Sequence, residues 1–359
     1  MSPSRSWHSF QVPYRESKMI CSKLFMLLLL VGASCAAPVT KEEESEDEKI
    51  VIPKTIFDDE FSIYKGKHDI VDILVPMNSF NFKHNSELEE IGDFDDNNIV
   101  IFFVEADIDA HGKRDDKGLF VFKKGEVTQL LEHGRAAAAS SDESTDIFFA
   151  AKDGIYVYSN EENKAIKYGS VTDDIIAIAK ENGTDVIYYV NKDHELYVVT
   201  ENGQKATKVE GVEGALEIVL DFNNNLYYFT EDRKVYVKTP TGLKKIEGLP
   251  ENLTNGKLIK PPFLEDDVAV FLVDNDFYVL HANGTAEFSD FAVAPDAKPT
   301  AYAMEATVFQ YYAYQKHIYK YNLMKLVLND LFKDLSKLLE ENEQKLENAS
   351  PVKKSIKKH

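Results

Sequence analysis

Apolar and polar positions alternate over most of this chain, in short segments that place an aliphatic residue before an aromatic one. They read Leu119-Phe120-Val121-Phe122, Ile155-Tyr156-Val157-Tyr158, Leu196-Tyr197-Val198-Val199, Val235-Tyr236-Val237-Lys238, Phe277-Tyr278-Val279-Leu280 and Ile318-Tyr319-Lys320-Tyr321. The aromatic recurs at 120, 156, 197, 236, 278 and 319, an interval of 36 to 42 residues. Period-two alternation predicts β-strands, and the interval is that of a four-stranded module with its turns.

A second aromatic-rich strand precedes each of these: Ile101-Phe102-Phe103, Ile147-Phe148-Phe149, Ile187-Tyr188-Tyr189, Leu226-Tyr227-Tyr228, Val270-Phe271-Leu272 and Gln310-Tyr311-Tyr312. Turns such as Asn191-Lys192-Asp193-His194 join the two into a hairpin. A short strand precedes several hairpins, as in Ile175–Ala179 and Ile218–Phe222, and an outer strand such as Gly242–Ile246 follows. Four strands in each of six repeats predict an all-β, six-bladed β-propeller over residues 55–322. The sixth repeat stops near Tyr321 without an outer strand. We expect Glu60–Lys65 to supply it and to close the ring between the chain's two ends.

The flanks read differently. Residues 1–36 form a presequence whose apolar run, Leu24 to Val31, follows Lys23 and precedes small residues, the pattern of a secretory signal with its core at 19–36. The run is too short to span a bilayer as a transmembrane anchor. Met19 opens a signal of ordinary length, so Met1–Lys18 is read as an upstream extension, as sequence ahead of an alternative start at Met19 or as a gene-model error, and in each case as outside the fold. Residues 37–54 form an acidic, disordered leader carrying Lys41-Glu-Glu-Glu-Ser-Glu-Asp-Glu-Lys49. Leu328, Leu331, Phe332, Leu335, Leu338 and Leu339 have helical spacing and predict a C-terminal amphipathic helix over 323–346, and 347–359 reads as a basic mobile tail.

Composition narrows the chemistry. The 359 residues carry a formal charge of −20, with 61 Asp+Glu against 41 Lys+Arg. Phosphate backbones need clustered cations, so nucleic acid is the wrong partner. Both cysteines, Cys21 and Cys35, lie in the presequence, so a secreted mature chain has no disulfide and no thiol chemistry. Sequons at Asn182, Asn252 and Asn283 sit in turn-like contexts and are expected to be glycosylated, whereas Pro351 weakens the one at Asn348.

No nucleophile elbow, paired-histidine zinc motif, Walker loop or dinucleotide fingerprint occurs, so no catalytic or metal-ligating residue is assigned and the chain reads as a non-enzyme. The histidines stand singly. Asp107–Asp116 has alternating carboxylates before a glycine, but His111, Lys113 and Arg114 oppose a cation, so it reads as a solvated hairpin loop rather than a calcium site. Asp93 and Asp221 end inner strands and precede Phe94 and Phe222, which would bring them toward a central channel. The plainer role for such Asp residues is to cap the turn between the first two strands. With Tyr302, these four are the candidate ligand-binding residues of the channel.

Asp153-Gly154-Ile155-Tyr156-Val157-Tyr158 with Glu162–Gly169, and Asp221-Phe222-Asn223-Asn224-Asn225-Leu226-Tyr227-Tyr228, resemble the insect ommochrome-binding protein group, itself similar to lipoprotein-receptor and NHL-type six-bladed propellers. The likeness covers roughly 88–322, and it implies a protein of haemolymph or tissue that is secreted and carries a tryptophan-derived pigment. This chain departs from the group in its cysteine-free mature sequence, acidic leader and added helix, and no short binding signature carries over. The expectation is a secreted, extracellular carrier of a small planar aromatic ligand, with a bound ommochrome pigment and no other cofactor. An extracellular protein-interaction propeller is the alternative, and a calcium-dependent, lactonase-like hydrolase the second.

Overall fold

In a computed structural model the described residues are 50–81, 99–109, 113–254, 256–260, 266–304 and 309–322. They form strands joined by turns and three short 3-10 turns. Two strands come before the first repeat: β1 (Ile50–Ile52) and β2 (Ser62–Lys65). Blade 1 is β3 (Asp69–Leu74), β4 (Ile101–Ile108), β5 (Arg114–Lys123) and β6 (Glu126–Leu131), and blade 2 is β7 (Gly134–Ala139), β8 (Ile147–Ala151), β9 (Gly154–Ser159) and β10 (Lys164–Lys167). Blade 3 comprises β11 (Ile175–Lys180), β12 (Ile187–Asn191), β13 (Leu196–Thr200) and β14 (Lys205–Lys208). Blade 4 comprises β15 (Ala215–Leu220), β16 (Leu226–Thr230), β17 (Val235–Thr239) and β18 (Gly242–Lys245). Blade 5 has β19 (Gly256–Ile259), β20 (Val268–Val273), β21 (Asp276–His281) and β22 (Ala286–Val293), and blade 6 has β23 (Ala301–Met304), β24 (Phe309–Tyr314) and β25 (His317–Asn322). The chain is a six-bladed propeller, as the repeat predicts.

The recurring aromatics are cross-strand pairs. Phe103 faces Phe120, Phe149 faces Tyr156, Tyr189 faces Tyr197, Tyr228 faces Tyr236 and Phe271 faces Tyr278. Three of these stack directly: Phe103 on Phe120 at 5.4 Å, Tyr189 on Tyr197 at 5.1 Å and Tyr228 on Tyr236 at 5.1 Å. Directly opposed aromatics of this kind are worth about 0.2–1 kcal/mol each over alanine pairs.

Adjacent aromatics in the second strands point to opposite faces, so each feeds a different core. Phe102 packs with Phe149 between blades 1 and 2, while Phe103 packs with Tyr311 between blades 1 and 6. Likewise Tyr227 joins Phe271 toward blade 5, and Tyr228 joins Val190 and Leu196 toward blade 3. The second strands are thus buried on both faces, which explains how a ring with no cysteine among its strands is held by apolar packing. Glycine matters where outer turns meet. Gly169 has φ +66°, and a Cβ there would lie 2.1 Å from the Gly203 carbonyl, which accepts from Ser170 N across blades 2 and 3.

Ring closure follows the expectation. β2 is the outer strand of blade 6, antiparallel to β25, with Ser62 opposite Tyr319 and Lys65 opposite His317. Phe57, on the 3-10 turn Lys54–Phe57, stacks on Tyr314 at 4.4 Å and touches Tyr319. Ordered structure also begins earlier than 55. The β-branched triplet of β1 adds a fifth strand to blade 5, parallel to β22, inside the segment expected as leader. The presequence, the run Lys41–Lys49, the helix over 323–346 and the basic tail lie outside the described residues. Among those described, no helix is long and apolar enough to cross a membrane.

Candidate functional site: the central channel

The innermost strand of every blade, β3, β7, β11, β15, β19 and β23, contributes to one axial cavity of about 500 Å³. Six strands converge here, and the sequence accommodates them with small residues: Ala136 to Ala139, Ala177, Ala179 and Ala303. Four of these strands bulge near their start, after Ile70, Gly134, Ile175 and Ala215. A bulge puts two residues opposite one and re-aims the side chains beside it.

Charge in the channel is of the opposite sign to that of the whole protein. Among the described residues five cations line it, Arg114, Arg135, Lys180, Lys257 and Lys260, against three carboxylates, Asp72, Asp116 and Glu217. Toward the strand starts the charges are matched. Asp116, 4% exposed, lies 2.6 Å from Arg114 and 2.7 Å from Arg135, which also reaches Asp174 at 2.5 Å and so ties blades 1, 2 and 3. Glu217 is 3.2 Å from Lys257 and accepts from Leu258 N at 2.9 Å. Enclosure works against the charge on Lys257, but Glu217 and Asp72 outweigh it and hold the amine above the ordinary lysine range. Asp72 accepts from Ala137 N at 3.3 Å, linking the inner strands of blades 1 and 2.

At the strand ends the balance differs. Lys260 extends from blade 5 across the lumen and donates to the carbonyl of Ala139 on blade 2, the opposite blade, at 2.9 Å. Burial, and the like charge of Lys180, push its amine down to about 8, against the pull of Asp142. Lys180 is 6% exposed and donates to the carbonyls of Glu181 and Thr184. Burial lowers it too, despite Asp142 and Glu181. Burial also works against the charge of Asp142, yet donors from Gly183 N, Ser140 Oγ and Ser144 N hold that carboxyl below the usual range.

The candidate residues separate. Asp221 is fully buried in the β15–β16 turn, where it accepts from Asn223 N at 2.9 Å, Asn225 N at 2.8 Å, Asn225 Nδ2 at 2.8 Å and Tyr227 OH at 3.3 Å. Burial raises its carboxyl to about 6, opposed by those same donors. This is turn capping, and Asp221 is not among the residues lining the cavity. Half-buried Phe222 lends its carbonyl to Asn182 Nδ2 at 3.0 Å. Tyr302 does line the channel, but it is 6% exposed, with its ring against Tyr312 at 4.6 Å and Phe277 at 5.7 Å, so it offers an edge of wall more than an open stacking face. Burial holds its hydroxyl well above the usual tyrosine range. Asp93 and Phe94 lie outside the described residues. In the Asp107–Asp116 hairpin, Asp107 is held by His68 at 2.8 Å and Lys117 at 3.3 Å, and Asp115 by Lys117 at 2.6 Å. Among the described residues no group of three or more His, Asp or Glu could hold a metal ion.

Sequence reasoning missed the lysines. The signal was Lys257-Leu258-Ile259-Lys260, two cations in an inner strand of an acidic protein.

No family model matches the sequence. Among solved structures, the chain is similar to U3-55K (10% identity, TM-score 0.45, covering 73% of this chain and 98% of that one) and to the WD40 repeats of RRP9 (11%, 0.45, 73% and 78%). It is also similar to PorZ of Porphyromonas gingivalis (12%, 0.43, 62% and 29%). These likenesses bear on no function. Over 125 residues the chain is 28% identical to the ommochrome-binding protein of Manduca sexta, and the match takes in 33% of this chain and 44% of that protein, less than half of the relative's length. The chain is therefore a six-bladed propeller with a distant, partial similarity to an ommochrome-binding protein.

Proposed function

We propose that this protein is a secreted, non-enzymatic carrier that holds a small planar aromatic ligand, of the ommochrome class, in the central channel. The observation that carries the reading is the similarity to a protein named for binding such a pigment. The channel supports it, because its volume of about 500 Å³ falls within the roughly 300–1,000 Å³ of small-molecule sites and its wall is mostly aliphatic. Binding rather than hydrolysis fits the carboxylates of the wall, since Asp116 and Glu217 are taken by cations and Asp72 by a backbone amide.

The test is the visible spectrum of protein purified from its native source, since side chains alone give no colour there. We expect an absorption band that survives dialysis and leaves on denaturation. A colourless protein that also fails to take up added ommochrome would remove the carrier reading and favour an interaction propeller.

A further inference from the structure

The carboxylates of the channel are held by cations or by a backbone amide, and Arg114, Arg135 and Lys257 each have an acidic partner, but two lysines do not. Lys260 has one hydrogen bond, to the Ala139 carbonyl, and among the described residues no carboxylate stands within ion-pair distance of it. Lys180 is bonded only to carbonyls. An ammonium carries three N–H donors, so two remain on Lys260 and one on Lys180. Both amines line the same cavity, at the ends of their strands, beside the aliphatic side chains of Ile178, Leu220 and Met304. Holding two like charges together in an enclosed space is costly unless something of opposite sign joins them. Asp142, the acid whose charge acts on both amines, has its oxygens occupied by three protein donors.

We propose that the Lys180–Lys260 end of the channel binds the carboxylate of an organic anion whose apolar, planar body lies along the aliphatic wall. This rests on the carrier reading and adds the charge class of the cargo. The three N–H donors left on the two amines match a group with two acceptor oxygens, and the crossbar position of Lys260 fixes how deep the anion sits. The acidic exterior does not prevent entry, because exposed charges are screened within about 8 Å at physiological salt, whereas the enclosed amines are not.

The pH dependence follows from the groups around Lys260. Its amine faces Asp142 and Lys180, and Lys180 in turn faces Asp142, Glu181, Asp146 and Asp185. Hydrogen bonds from Gly183 N, Ser140 Oγ and Ser144 N hold the Asp142 carboxyl below the usual range, against its burial. As the pH rises through about 8 Lys260 loses its proton, and affinity for an anion must fall.

The experiment is calorimetric titration of the full chain with 2-naphthoate and with its uncharged analogue 2-naphthamide. We expect naphthoate to bind at least tenfold more tightly at pH 7, with the advantage shrinking toward pH 9. Lys260→Met should abolish the preference for naphthoate over naphthamide, and Lys260→Arg should retain it. Thermal melting checks that each variant folds, and the pH series on the unaltered chain needs no variant. Equal affinity for both probes, insensitive to Lys260, would overturn the anion site while leaving the channel as a carrier site. Failure of both probes to bind, with pigment also refused, would overturn both.

Discussion

Asp221 illustrates how one residue can look like a ligand and act as a fastener. An acid before an aromatic at the end of an inner strand fits a channel mouth, but four donors in its own turn and from Tyr227 claim its oxygens. Burial has a measurable consequence. The folded carboxyl titrates near 6, whereas an aspartate in an unfolded chain titrates near about 3.9. Between those values the native state binds more protons than the unfolded one, so this residue's contribution favours folding most below about pH 4. It declines as pH rises toward 6 and is constant above. Urea unfolding should show the unaltered chain losing on the order of 2–3 kcal/mol between pH 4 and pH 7 relative to Asp221→Asn. Parallel pH profiles would show that Asp221 is not held in this way. The turn role was legible in the sequence, because Asp221-Phe222-Asn223-Asn224-Asn225 is dense in turn formers. Its complete burial was not, since the Tyr227 hydroxyl that covers it also bonds the Asp267 carbonyl of the next blade.

At the level of elements, the N-terminal segment grips two blades in succession. β1 lies along β22 of blade 5, the 3-10 turns bring Phe57 onto Tyr314 and Tyr319, and β2 completes blade 6 before the chain enters blade 1 at β3. Tyr64 of β2 packs on Phe103 at 4.9 Å and donates to the buried Glu105 at 2.9 Å, so the closing strand also contacts blade 1. Removing residues 50–65 exposes the β25 edge and leaves Glu105 without this donor. We expect a single cooperative thermal transition, displaced downward by 10 °C or more, on the order of 3–5 kcal/mol for a ring of this size. An unchanged melting temperature in circular dichroism would mean that the ring closes without the segment. The edge deficit was visible in the sequence because the sixth repeat lacks a strand. The parallel pairing of β1 was not, since three β-branched residues after an acidic run specify extended backbone without naming a neighbour.

Five of the six blades are tied near the strand ends by polar residues recurring at the blade interval, Asp142, Asn182, Asn224 and Asp266. Gly183 N donates to Asp142, Ser141 N to Asn182, Asn182 N to Asn224, and Asn223 N to the Asp266 carbonyl. Blades 2 to 5 are thereby joined in a belt, and Ser79 N extends it from blade 1 to the Asp142 carbonyl. The belt distinguishes among the expected glycosylation sites. Asn182 is half-buried and its amide nitrogen bonds Phe222, whereas Asn252 and Asn283 are exposed. Peptide mass spectrometry of secreted protein should find glycan on Asn252 and Asn283 and none on Asn182. Full occupancy at Asn182 would mean that the belt does not form as described.

The sequence by itself determined the number of blades, the hairpin of two aromatic-rich strands in each and the strand missing from the sixth repeat. All three depend on local periodicity, because side-chain alternation and turn chemistry act over a few residues. Tertiary structure decided which polar residues meet. Lys260 and Ala139 are 121 residues apart and lie on opposite blades, and only closure of the ring brings them across one lumen. The same closure places Lys180 in the channel, because a side chain's access to the axis depends on the neighbouring blades, which the residues next to it in sequence do not specify.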